Sequence, residues 1–515
     1  MNTNTKVNPW LIAVAVMLAT FMEVLDTSIA NVALQYIAGS LSVSTDESTW
    51  VLTTYLIANA IVIPSTAWFG QRFGRKRFLM FCVGVFTVSS FFCGVSTSLP
   101  MLLVMRAIQG AGGGALQPIA QSILLESFPK EKHGVAMAVY GVGVVTAPIL
   151  GPVLGGWITD AYNWRWIFFI NVPVGLLALV LMQWFISDPK GHGEAKAPRL
   201  DIIGFGFMSL WLGCQEVMLD KGQEDDWFGS NFIVLMAVLA AIGFVVFVIR
   251  ELRVATPFVN LRVLKNYNFS VGMPLMFFLG ITMYGLTALL PLLMQTLMGY
   301  TALTSGLAMI PRGFGALVGM PLAGRLVNKV PGRCLVAGGF LTFGFSALWL
   351  SRMTLDVSPF MLVWPLFFSG VSIAFLFVPL NTLALGSVKP EQMNNASGMF
   401  NLMRNMGGSV GISLVTTLVE RRAQVHQAFL AGDINSYSGV FQGKFASLSA
   451  MFAQQNGSFT GSQQALGAMG KLVGRQAGML AYLDTFNFFA ALCVVCVAGA
   501  LFMKNIKVSG PVMAH

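Results

Sequence analysis

Charged residues are scarce in this chain of 515 residues. They make up 10% of the sequence, whereas hydrophobic residues make up 56%. An ordinary soluble domain carries roughly 25% charged residues. A soluble chain of this length would divide into several domains with polar surfaces, and the sequence contains nothing that resembles such surfaces. The composition therefore excludes a soluble protein and predicts one embedded in a membrane.

Residues that could hold a metal or perform redox chemistry are also few. The four histidines fall in predicted loops or at the C-terminus: His133, His192, His426 and His515. Cys493 and Cys496 form a C-x-x-C pair, but inside an apolar run with no histidine near. Redox work requires an accessible polar setting, so this pair is predicted to pack as small hydrophobic residues. We expect no zinc site, no cofactor and no enzymatic activity.

Two further absences narrow the function. No nucleotide-binding loop appears, which excludes an ATP-driven pump. No small-residue cleavage site follows the apolar run that begins at Trp10, and this run is about as long as a membrane span. We expect it to remain as the first helix and not to be removed as a signal peptide.

Long apolar runs recur along the whole chain, as expected for an all-α polytopic membrane protein. Runs of roughly 20 residues predict transmembrane helices. We find fourteen, near residues 10–32, 48–70, 77–97, 99–124, 133–159, 165–187, 200–220, 231–250, 268–296, 301–326, 334–353, 358–386, 394–419 and 482–503.

The distribution of basic residues tests this count. With a cytoplasmic N-terminus, the short outer loops hold only Arg165, Lys221 and Arg352. The inner loops hold most of the 31 basic residues: Lys6, Arg72, Arg75, Lys76, Arg77, Lys130, Lys132, Lys190, Lys196, Arg199, Arg250, Arg253, Arg262, Lys265, Arg325, Lys329, Arg333, Lys389, Lys504 and Lys507. The positive-inside rule therefore predicts that both termini are cytoplasmic. The net charge of +10 follows from topology, so no nucleic-acid partner is predicted.

The spans divide the chain into three segments. Residues 1–187 form a six-helix bundle, 188–267 a connector and an inserted helix pair, and 268–515 a second six-helix bundle. The loop AWFGQRFGRK at 67–76 is echoed by GRLVNKVPGR at 324–333. Parallel six-helix halves are typical of one class of transporter.

One outer segment, 421–481, is unusually long for a loop. Leu466, Met469 and Leu472 recur within it at helical spacing. This pattern predicts a helix that rises from the membrane over 462–481, and a loop without regular structure is the alternative.

Three ionisable residues are predicted at one depth in the membrane, where charge is costly and usually functional. Glu23 and Asp26 are three residues apart, so both carboxylates lie on one face of the first helix. Arg106 of the fourth helix reaches the same depth. An arginine that faces two carboxylates can keep one ionised and leave the other to titrate, as proton exchange requires. The alternative is a static ion pair that holds two helices together.

Two more arginines, Arg312 and Arg404, are predicted near the middle of the membrane. Each either holds an anionic substrate or satisfies carbonyl groups where a helix is broken. The sequence leaves both alternatives open.

The fifth helix carries a stripe of small residues. Gly143, Ala147, Gly151 and Gly155 recur every fourth residue and give it a smooth face that another helix can approach closely. Two prolines in the same stretch, Pro148 and Pro152, predict a bend. Together these features favour a moving interface over ordinary packing.

Several ordered motifs resemble the drug:proton antiporters of the major facilitator superfamily. They are LATFMEVLDTSIANVA (18–33), FGRKR (73–77), RAIQGAGGGALQP (106–118), PILGPVLGG (148–156) and WRWIFFINVPVG (164–175). The inserted pair, LDIIG (200–204) and PRGFG (311–315) resemble the fourteen-helix branch, and the long outer segment resembles its EmrB/FarB-type subgroup.

This resemblance implies roles for residues that match the motifs. Proton coupling is expected at Asp26 and Arg106, with Glu23 at a variable neighbouring position. Conformational motifs are expected at Gly74, Arg75, Gly143, Gly151, Pro152, Gly155 and Gly156, and substrate contacts at Arg312, Arg404, Asn31 and Gln117.

The resemblance also implies a function and partners. We expect an inner-membrane exporter of small hydrophobic or amphiphilic compounds, driven by protons, that works with a periplasmic membrane-fusion adaptor and an outer-membrane channel. The chain departs from the family at the gate, where Gln71 and Asn328 replace acids, so a hydrogen-bonded network is expected there. An importer, a fatty-acid or lipid exporter or flippase of the same fold, and a membrane scaffold are the alternatives.

Overall fold

The computed structural model describes residues 8–187, 201–254, 257–355, 357–389, 392–432, 439–456 and 458–504. The predicted connector over 188–200, with Lys190, Lys196 and Arg199, lies outside the described residues, as do Lys6 and Lys507. The α-helices are, in chain order, α1 (Pro9–Leu41), α2 (Thr45–Phe73), α3 (Arg75–Gly94), α4 (Leu99–Gly113), α5 (Leu116–Ser127), α6 (His133–Ala161), α7 (Trp166–Phe169), α8 (Asn171–Phe185), α9 (Ile202–Lys221), α10 (Asn231–Arg253), α11 (Tyr267–Thr296), α12 (Ala302–Ala308), α13 (Ile310–Leu326), α14 (Gly332–Leu350), α15 (Pro359–Leu385), α16 (Met393–Gly432), α17 (Gly439–Asn456) and α18 (Ser458–Leu501).

Local sequence signals set where these helices begin and turn. Ser44 caps α2 through a reciprocal pair of hydrogen bonds with Glu47, of 3.1 and 2.8 Å. Gly74 joins α2 to α3 with a φ of +85°, a conformation that favours glycine. The predicted bend in the fifth span is present, since α6 turns by 41° between Pro148 and Leu150.

Twelve helical segments among the described residues are long and apolar enough to cross a membrane, or thirteen when the bent α6 is counted as one span. Three of the twelve each combine two consecutive helices: α4 with α5, α7 with α8, and α12 with α13. Their positions follow the predicted apolar runs closely, so the prediction of an all-α polytopic membrane protein is confirmed. The helix α16 is not among them. It carries Arg404 and several asparagines, which lower its mean hydropathy.

The helices pack in two groups around a central cavity. In the first half, α1–α8, the contacts of α1 with α6 and of α2 and α3 with α4 dominate. In the second half, α11–α18, α11 packs on α16 and α15 packs on α13 and α14. The inserted pair, α9 and α10, packs on itself and touches α2 and α16.

The halves meet at both ends of the bundle. We call the end that carries Arg72, Arg75, Lys76 and Arg77 the basic end. Here α5 and α2 contact α16, and α6 contacts α13. At the opposite end, α6 contacts α12. The cavity lies between the halves, towards the opposite end.

The predicted helix over 462–481 is confirmed, because it forms part of α18. With 44 residues, α18 is ~66 Å long, and the 40-residue α16 is ~60 Å, both about twice the thickness of a bilayer core. His426 and Arg422 each contact Asp484 at 2.8 Å and join the two helices, while α17 packs on α18. The described part of 421–481 is therefore mainly helical and projects beyond the bundle at the opposite end.

Candidate functional site

The central cavity has a volume of about 240 Å³ and is bounded by both halves and the inserted pair. The first half contributes side chains of α1 and α2, including Glu23 and Asn31. The second half contributes α11 and α16, and α9 closes a third side. Gln117 of α5 also lies on the wall. Two of the predicted substrate residues, Asn31 and Gln117, are thus placed where a ligand can reach them.

Asp26 and Arg106 form a buried ion pair beside this cavity. The Arg106 Nη1 donates to Asp26 Oδ2 at 2.6 Å, and the two side chains are 0% and 1% exposed. Asp26 Oδ1 accepts two more hydrogen bonds, from Gln109 at 3.0 Å and Asn171 at 2.6 Å. Charges removed from water in this way are stable only when they are paired and fully hydrogen-bonded. Asp26 meets that condition with partners from α4 and α8.

Arg106 is held in turn by the neighbouring helix α2. Its Nε donates to the carbonyl of Val51 at 3.0 Å, and its guanidinium lies 4.3 Å from the centre of the Tyr55 ring. The Phe168 ring is 5.5 Å away on another side. Nη2 has no hydrogen-bond partner among the described residues. A change in the charge of Asp26 would therefore act on α4, which carries Arg106, and on α2, which contacts it.

Glu23 has a separate environment, although it lies one turn from Asp26. Its carboxylate accepts hydrogen bonds from Gln117 at 2.7 Å, Asn59 at 3.2 Å and Tyr55 at 3.3 Å. All three partners are neutral. Glu23 lines the cavity, whereas Asp26 does not. The arrangement therefore separates a carboxylate that lines the cavity from one that is paired with arginine.

Gln117 links this site to the second half. Its side-chain oxygen accepts a hydrogen bond from Arg404 of α16, while its amide nitrogen donates to Glu23. Arg404 is fully buried and does not line the cavity. Its Nε and Nη1 have no hydrogen-bond partner in the described part of the chain. The predicted substrate contact at Arg404 would therefore require a movement of Gln117.

Arg312 also lies behind the cavity wall. It donates to the hydroxyl of Thr287 at 2.8 Å and to the backbone carbonyl of Met283 at 2.9 Å. The carbonyl belongs to α11, so Arg312 joins α13 to α11, and its contact with substrate stays a prediction. Thr287 is part of the wall, so Arg312 reaches the cavity through that hydroxyl.

The glycine stripe of α6 faces α1. A Cβ added at Gly155 would lie 3.3 Å from the Ile29 carbonyl oxygen, and one at Gly151 would lie 3.0 Å from the Ser28 carbonyl carbon. The hydroxyl of Ser28 donates to the Pro148 carbonyl at 3.0 Å across the same contact. The stripe therefore packs within the first half.

A different face of α6 meets the second half. Around Gly306 of α12, the nearest atoms belong to Pro152 and Val153, and Gly156 approaches the backbone of Leu303. The contact between halves at this end therefore uses Pro152 and Gly156 and not the glycine stripe.

The basic end is closed by neutral hydrogen bonds. Gln121 of α5 donates to Asn381 and accepts from Ser397 at 2.9 Å and Asn401 at 2.7 Å. Ser122 donates to Asn394 at 2.6 Å. We call these residues the amide cluster: Gln121, Ser122, Asn381, Asn394, Ser397 and Asn401. All six are buried, and they join α5 to α15 and α16.

The predicted gate positions have separate surroundings. Asn328 donates to the backbone carbonyl of Glu131 at 2.7 Å, so it does bridge the halves. Gln71 is exposed. Arg75 forms an ion pair with Glu126 at the end of α5, a partner that the motif FGRKR does not contain.

Three polar residues of the site are not predicted as functional by sequence patterns. Gln109 and Asn171 lie inside the motifs RAIQGAGGGALQP and WRWIFFINVPVG, and the signal for Gln109 is its spacing of three from Arg106. Glu216 of α9 is buried and lines the cavity. The sequence signal for Glu216 is an acidic residue inside an apolar span. It lies close to the C-terminal end of that span, where charged residues are ordinary.

The family model described as Major Facilitator Superfamily matches residues 16–412, from α1 into α16. The chain belongs to the major facilitator superfamily. Membership makes it a membrane transporter and not an enzyme.

Curated relatives within this superfamily share most of its length. The chain is 37% identical over 489 residues to "Multidrug export protein EmrB" of Haemophilus influenzae, covering 95% of both chains. It is 37% identical over 483 residues to "Fatty acid resistance protein FarB" of Neisseria gonorrhoeae, covering 93% of both. With EmrB of Escherichia coli K12 it shares 35% identity over 499 residues, 96% of this chain and 95% of that one. The predicted resemblance to the EmrB/FarB-type subgroup of the major facilitator superfamily is confirmed.

A solved structure supports the major facilitator fold. The human organic anion transporter MFSD10 (TETRAN) superposes with a TM-score of 0.56, covering 94% of this chain and 99% of that one. The sequence identity is 13%, so this likeness concerns the fold alone.

Proposed function

We propose that this member of the major facilitator superfamily is a proton-coupled antiporter that exports hydrophobic or amphiphilic toxic compounds, including antibiotics. The names of its relatives support export of many drugs. The observation that carries the proton coupling is the buried Asp26–Arg106 pair beside a cavity that contains Glu23. Ionisable groups at membrane depth are typical of proton pathways.

The geometry suggests how exchange would proceed. Protonation of Asp26 would remove the negative charge opposite Arg106 and weaken the bond that joins α1 to α4. Arg106 would then rely on the Val51 carbonyl and the Tyr55 ring of α2. Release of the proton would restore the ion pair. Because the cavity-lining Glu23 lies one turn away, bound substrate and bound proton would influence each other through α1.

We further propose fourteen transmembrane helices, with α6 as one bent span and α16 as the additional one. Both termini would then be cytoplasmic, the basic end would face the cytoplasm, and the protein would lie in the inner membrane. The proposed units are a first bundle over 1–187, a connector and inserted pair over 188–267, and a second bundle over 268–515. The two bundles would rock about the central cavity, with Gly74, Arg75, Gly143, Gly151, Pro152, Gly155 and Gly156 at positions that shape their movement.

The projecting segment over 421–481 would dock a periplasmic membrane-fusion adaptor, which hands substrate to an outer-membrane channel. Leu466 and Leu472 of α18 are 53% and 45% exposed, and Met469 is partly exposed between them. Apolar side chains that face water on one helix suit a partner helix. A cap over the outer opening is the alternative role.

The name of one relative supports a second substrate class. FarB is a fatty acid resistance protein, so a fatty-acid or lipid-like substrate, exported or flipped, is the alternative for this chain. A lipid substrate would enter from the bilayer, and its transport would appear as movement of labelled lipid between leaflets.

The deciding experiment measures efflux in energised inverted vesicles that contain the full chain. Accumulation of a fluorescent drug should require an imposed proton gradient and stop when an uncoupler is added. Substrate entry should release protons and dissipate the gradient. Drug accumulation that persists with the uncoupler would rule out proton coupling.

A further inference from the structure

The cavity wall carries acidic side chains and no basic ones. Its described lining residues include two carboxylates, Glu23 of α1 and Glu216 of α9, and no lysine, arginine or histidine. Glu216 is 7% exposed and Glu23 is 4% exposed. The mechanism proposed above assigns no task to Glu216. It is also contributed by the inserted pair, which stands outside both six-helix halves.

Glu216 has incomplete hydrogen bonding. The hydroxyl of Ser409 on α16 donates to its Oε1 at 2.8 Å. Its Oε2 accepts no hydrogen bond among the described residues, and none of the described ion pairs includes Glu216. A nearly buried carboxylate is costly without a partner, and more so at membrane depth. The second carboxylate oxygen at the cavity is therefore available to a positively charged group of a ligand.

The charged residues next to Glu216 on α9 do not form an ion pair with it in the described part of the chain. Asp220, one turn further along α9, bonds to Thr53 of α2. Lys221 donates to Thr49 at 2.5 Å and to Glu224 at 2.6 Å. Asp220 does not line the cavity, and neither does Lys221.

The other charges near the site are also accounted for. Arg106 is paired with Asp26. Arg404 lies behind Gln117 and is fully buried. Glu23 already accepts three hydrogen bonds from neutral groups. Of the cavity's two carboxylates, Glu216 is the one with an oxygen left to bind a ligand.

The rest of the wall suits a large apolar body. Leu52 and Leu56 of α2 and Met406 and Ile412 of α16 line the cavity, and Tyr284 adds an aromatic ring. Apolar walls with few polar groups are typical of small-molecule sites, and methionine adapts to varied shapes. An aromatic ring also attracts cations through its face.

We propose that Glu216 is the charge-recognising residue of the substrate site and that the site takes lipophilic organic cations. The proposal rests on the cavity being the transport site, as argued above. It gives the inserted pair a direct part in recognition: α9 supplies the carboxylate, and the two halves supply the apolar walls.

A matched pair of ions tests this proposal. Tetraphenylphosphonium and tetraphenylborate have nearly the same shape and opposite charge. Binding of each to the purified full chain in nanodiscs is measured without a proton gradient, with empty nanodiscs subtracted. The wild type should bind the phosphonium at least ~10-fold more tightly than the borate, because a carboxylate in the low-dielectric interior attracts a nearby cation and repels a nearby anion by more than that factor.

Three variants locate the preference. Glu216→Gln removes the charge–charge attraction, so it should lose about tenfold in phosphonium affinity and leave borate affinity unchanged or higher. Asp220→Asn makes the same chemical change one turn away, off the cavity wall, and should bind as the wild type does. Glu216→Asp retains the charge and should recover part of the preference.

Several results would overturn the proposal. One is a wild type that binds both ions equally, which needs no variant to observe. Another is a monodisperse Glu216→Gln protein whose phosphonium affinity stays within about twofold of wild type, against the tenfold expected. A Glu216→Gln protein that binds the cation normally but no longer exchanges protons would make Glu216 a proton carrier. Because binding is measured without a gradient, a failure of proton coupling would leave these results unchanged and appear only in the vesicle assay.

Discussion

Glu23 and Asp26 lie three residues apart on α1, yet they share no hydrogen-bonding partner. Asp26 is bonded to Arg106, Gln109 and Asn171, and Glu23 to Gln117, Asn59 and Tyr55. Three residues of an α-helix correspond to a rotation that leaves the two side chains about 60° apart. That angle directs one carboxylate to the arginine of α4 and the other to the cavity. Their substitution should therefore have different effects.

Asp26→Asn should abolish proton-driven efflux while substrate still binds. The amide keeps the shape of the side chain but cannot change charge opposite Arg106, so we expect at least a ~10-fold fall in energised transport. Drug accumulation in inverted vesicles and equilibrium binding are measured on the same preparation. Asp226→Asn, an acid with an 87% exposed side chain, is the matched control and should transport normally. Wild-type rates in Asp26→Asn would show that the proton site lies elsewhere.

Glu23→Gln should change the pH dependence of transport or the range of substrates, and some transport should remain. Its three partners are neutral, so an amide can replace the carboxylate at modest cost, while the charge that faces the cavity is lost. Transport rates for several drugs across a pH series provide the measurement. Complete loss of exchange for every substrate would instead assign the proton to Glu23.

Gly151→Leu should block transport without preventing insertion. A Cβ there already crowds Ser28, and a full leucine side chain would force α6 away from α1. Gly84→Leu is the control, because a Cβ at Gly84 of α3 meets nothing within 4 Å. We expect ~10-fold slower efflux for the first variant and near wild-type efflux for the second. Equal activity in the two, at equal amounts in the membrane, would contradict a role for the close contact between α1 and α6.

Gln121→Leu should loosen the basic end. It removes the bonds from Gln121 to Asn381, Ser397 and Asn401, and leaves these buried groups without that partner, which costs ~1–3 kcal/mol each. Spin labels at Arg77 and Lys329, which are exposed on opposite halves, measure the distance between the halves at this end. In the variant, a larger fraction of molecules should show a long distance between the two labels. Gln71→Leu removes an exposed amide and should leave the distances as in wild type. An unchanged distribution in Gln121→Leu would show that the amide cluster does not hold the halves together.

Replacement of Leu466 and Leu472 by serine should separate docking from transport. If α18 binds an adaptor through these exposed residues, drug resistance of whole cells should fall while drug/proton exchange in liposomes persists. Co-purification with the adaptor is the direct readout. Loss of exchange in liposomes with co-purification intact would favour a cap over the outer opening.

The sequence predicts the helices well and their side-chain partners less well. Apolar length alone predicts 48–70 and 133–159, and the structure has α2 over Thr45–Phe73 and α6 over His133–Ala161. It predicts an end near 419 for the helix that continues to Gly432, because the last turns are polar and carry no hydropathy signal. Hydropathy indicates which residues can contact lipid, so it does not detect the part of a helix that lies in water.

Depth is likewise predicted more readily than orientation. The rise per residue predicts that Arg106 lies at the same membrane depth as both acids of α1. The rotation of each side chain about the helix axis determines that Asp26 forms the ion pair with it. Glu216 resembles the charged end of a span in the sequence, since Asp220 and Lys221 follow it closely. Its burial depends on Ser409, which is distant in sequence and is brought there by the packing of α9 on α16.

The short helix α5 connects the two working regions of the molecule. Gln117 and Gln121 are four residues apart on it, so they are separated by about one helical turn, ~6 Å along the axis. The Gln117 amide donates to Glu23 at the cavity, and the Gln121 amide is the centre of the amide cluster that joins the halves. Both amides belong to one turn of α5, so a ligand that shifts the helix at Gln117 would also shift Gln121. Because the amide cluster is made of neutral groups, its own hydrogen bonds carry no charge that a change of pH could remove, and α5 is the element that joins it to the cavity.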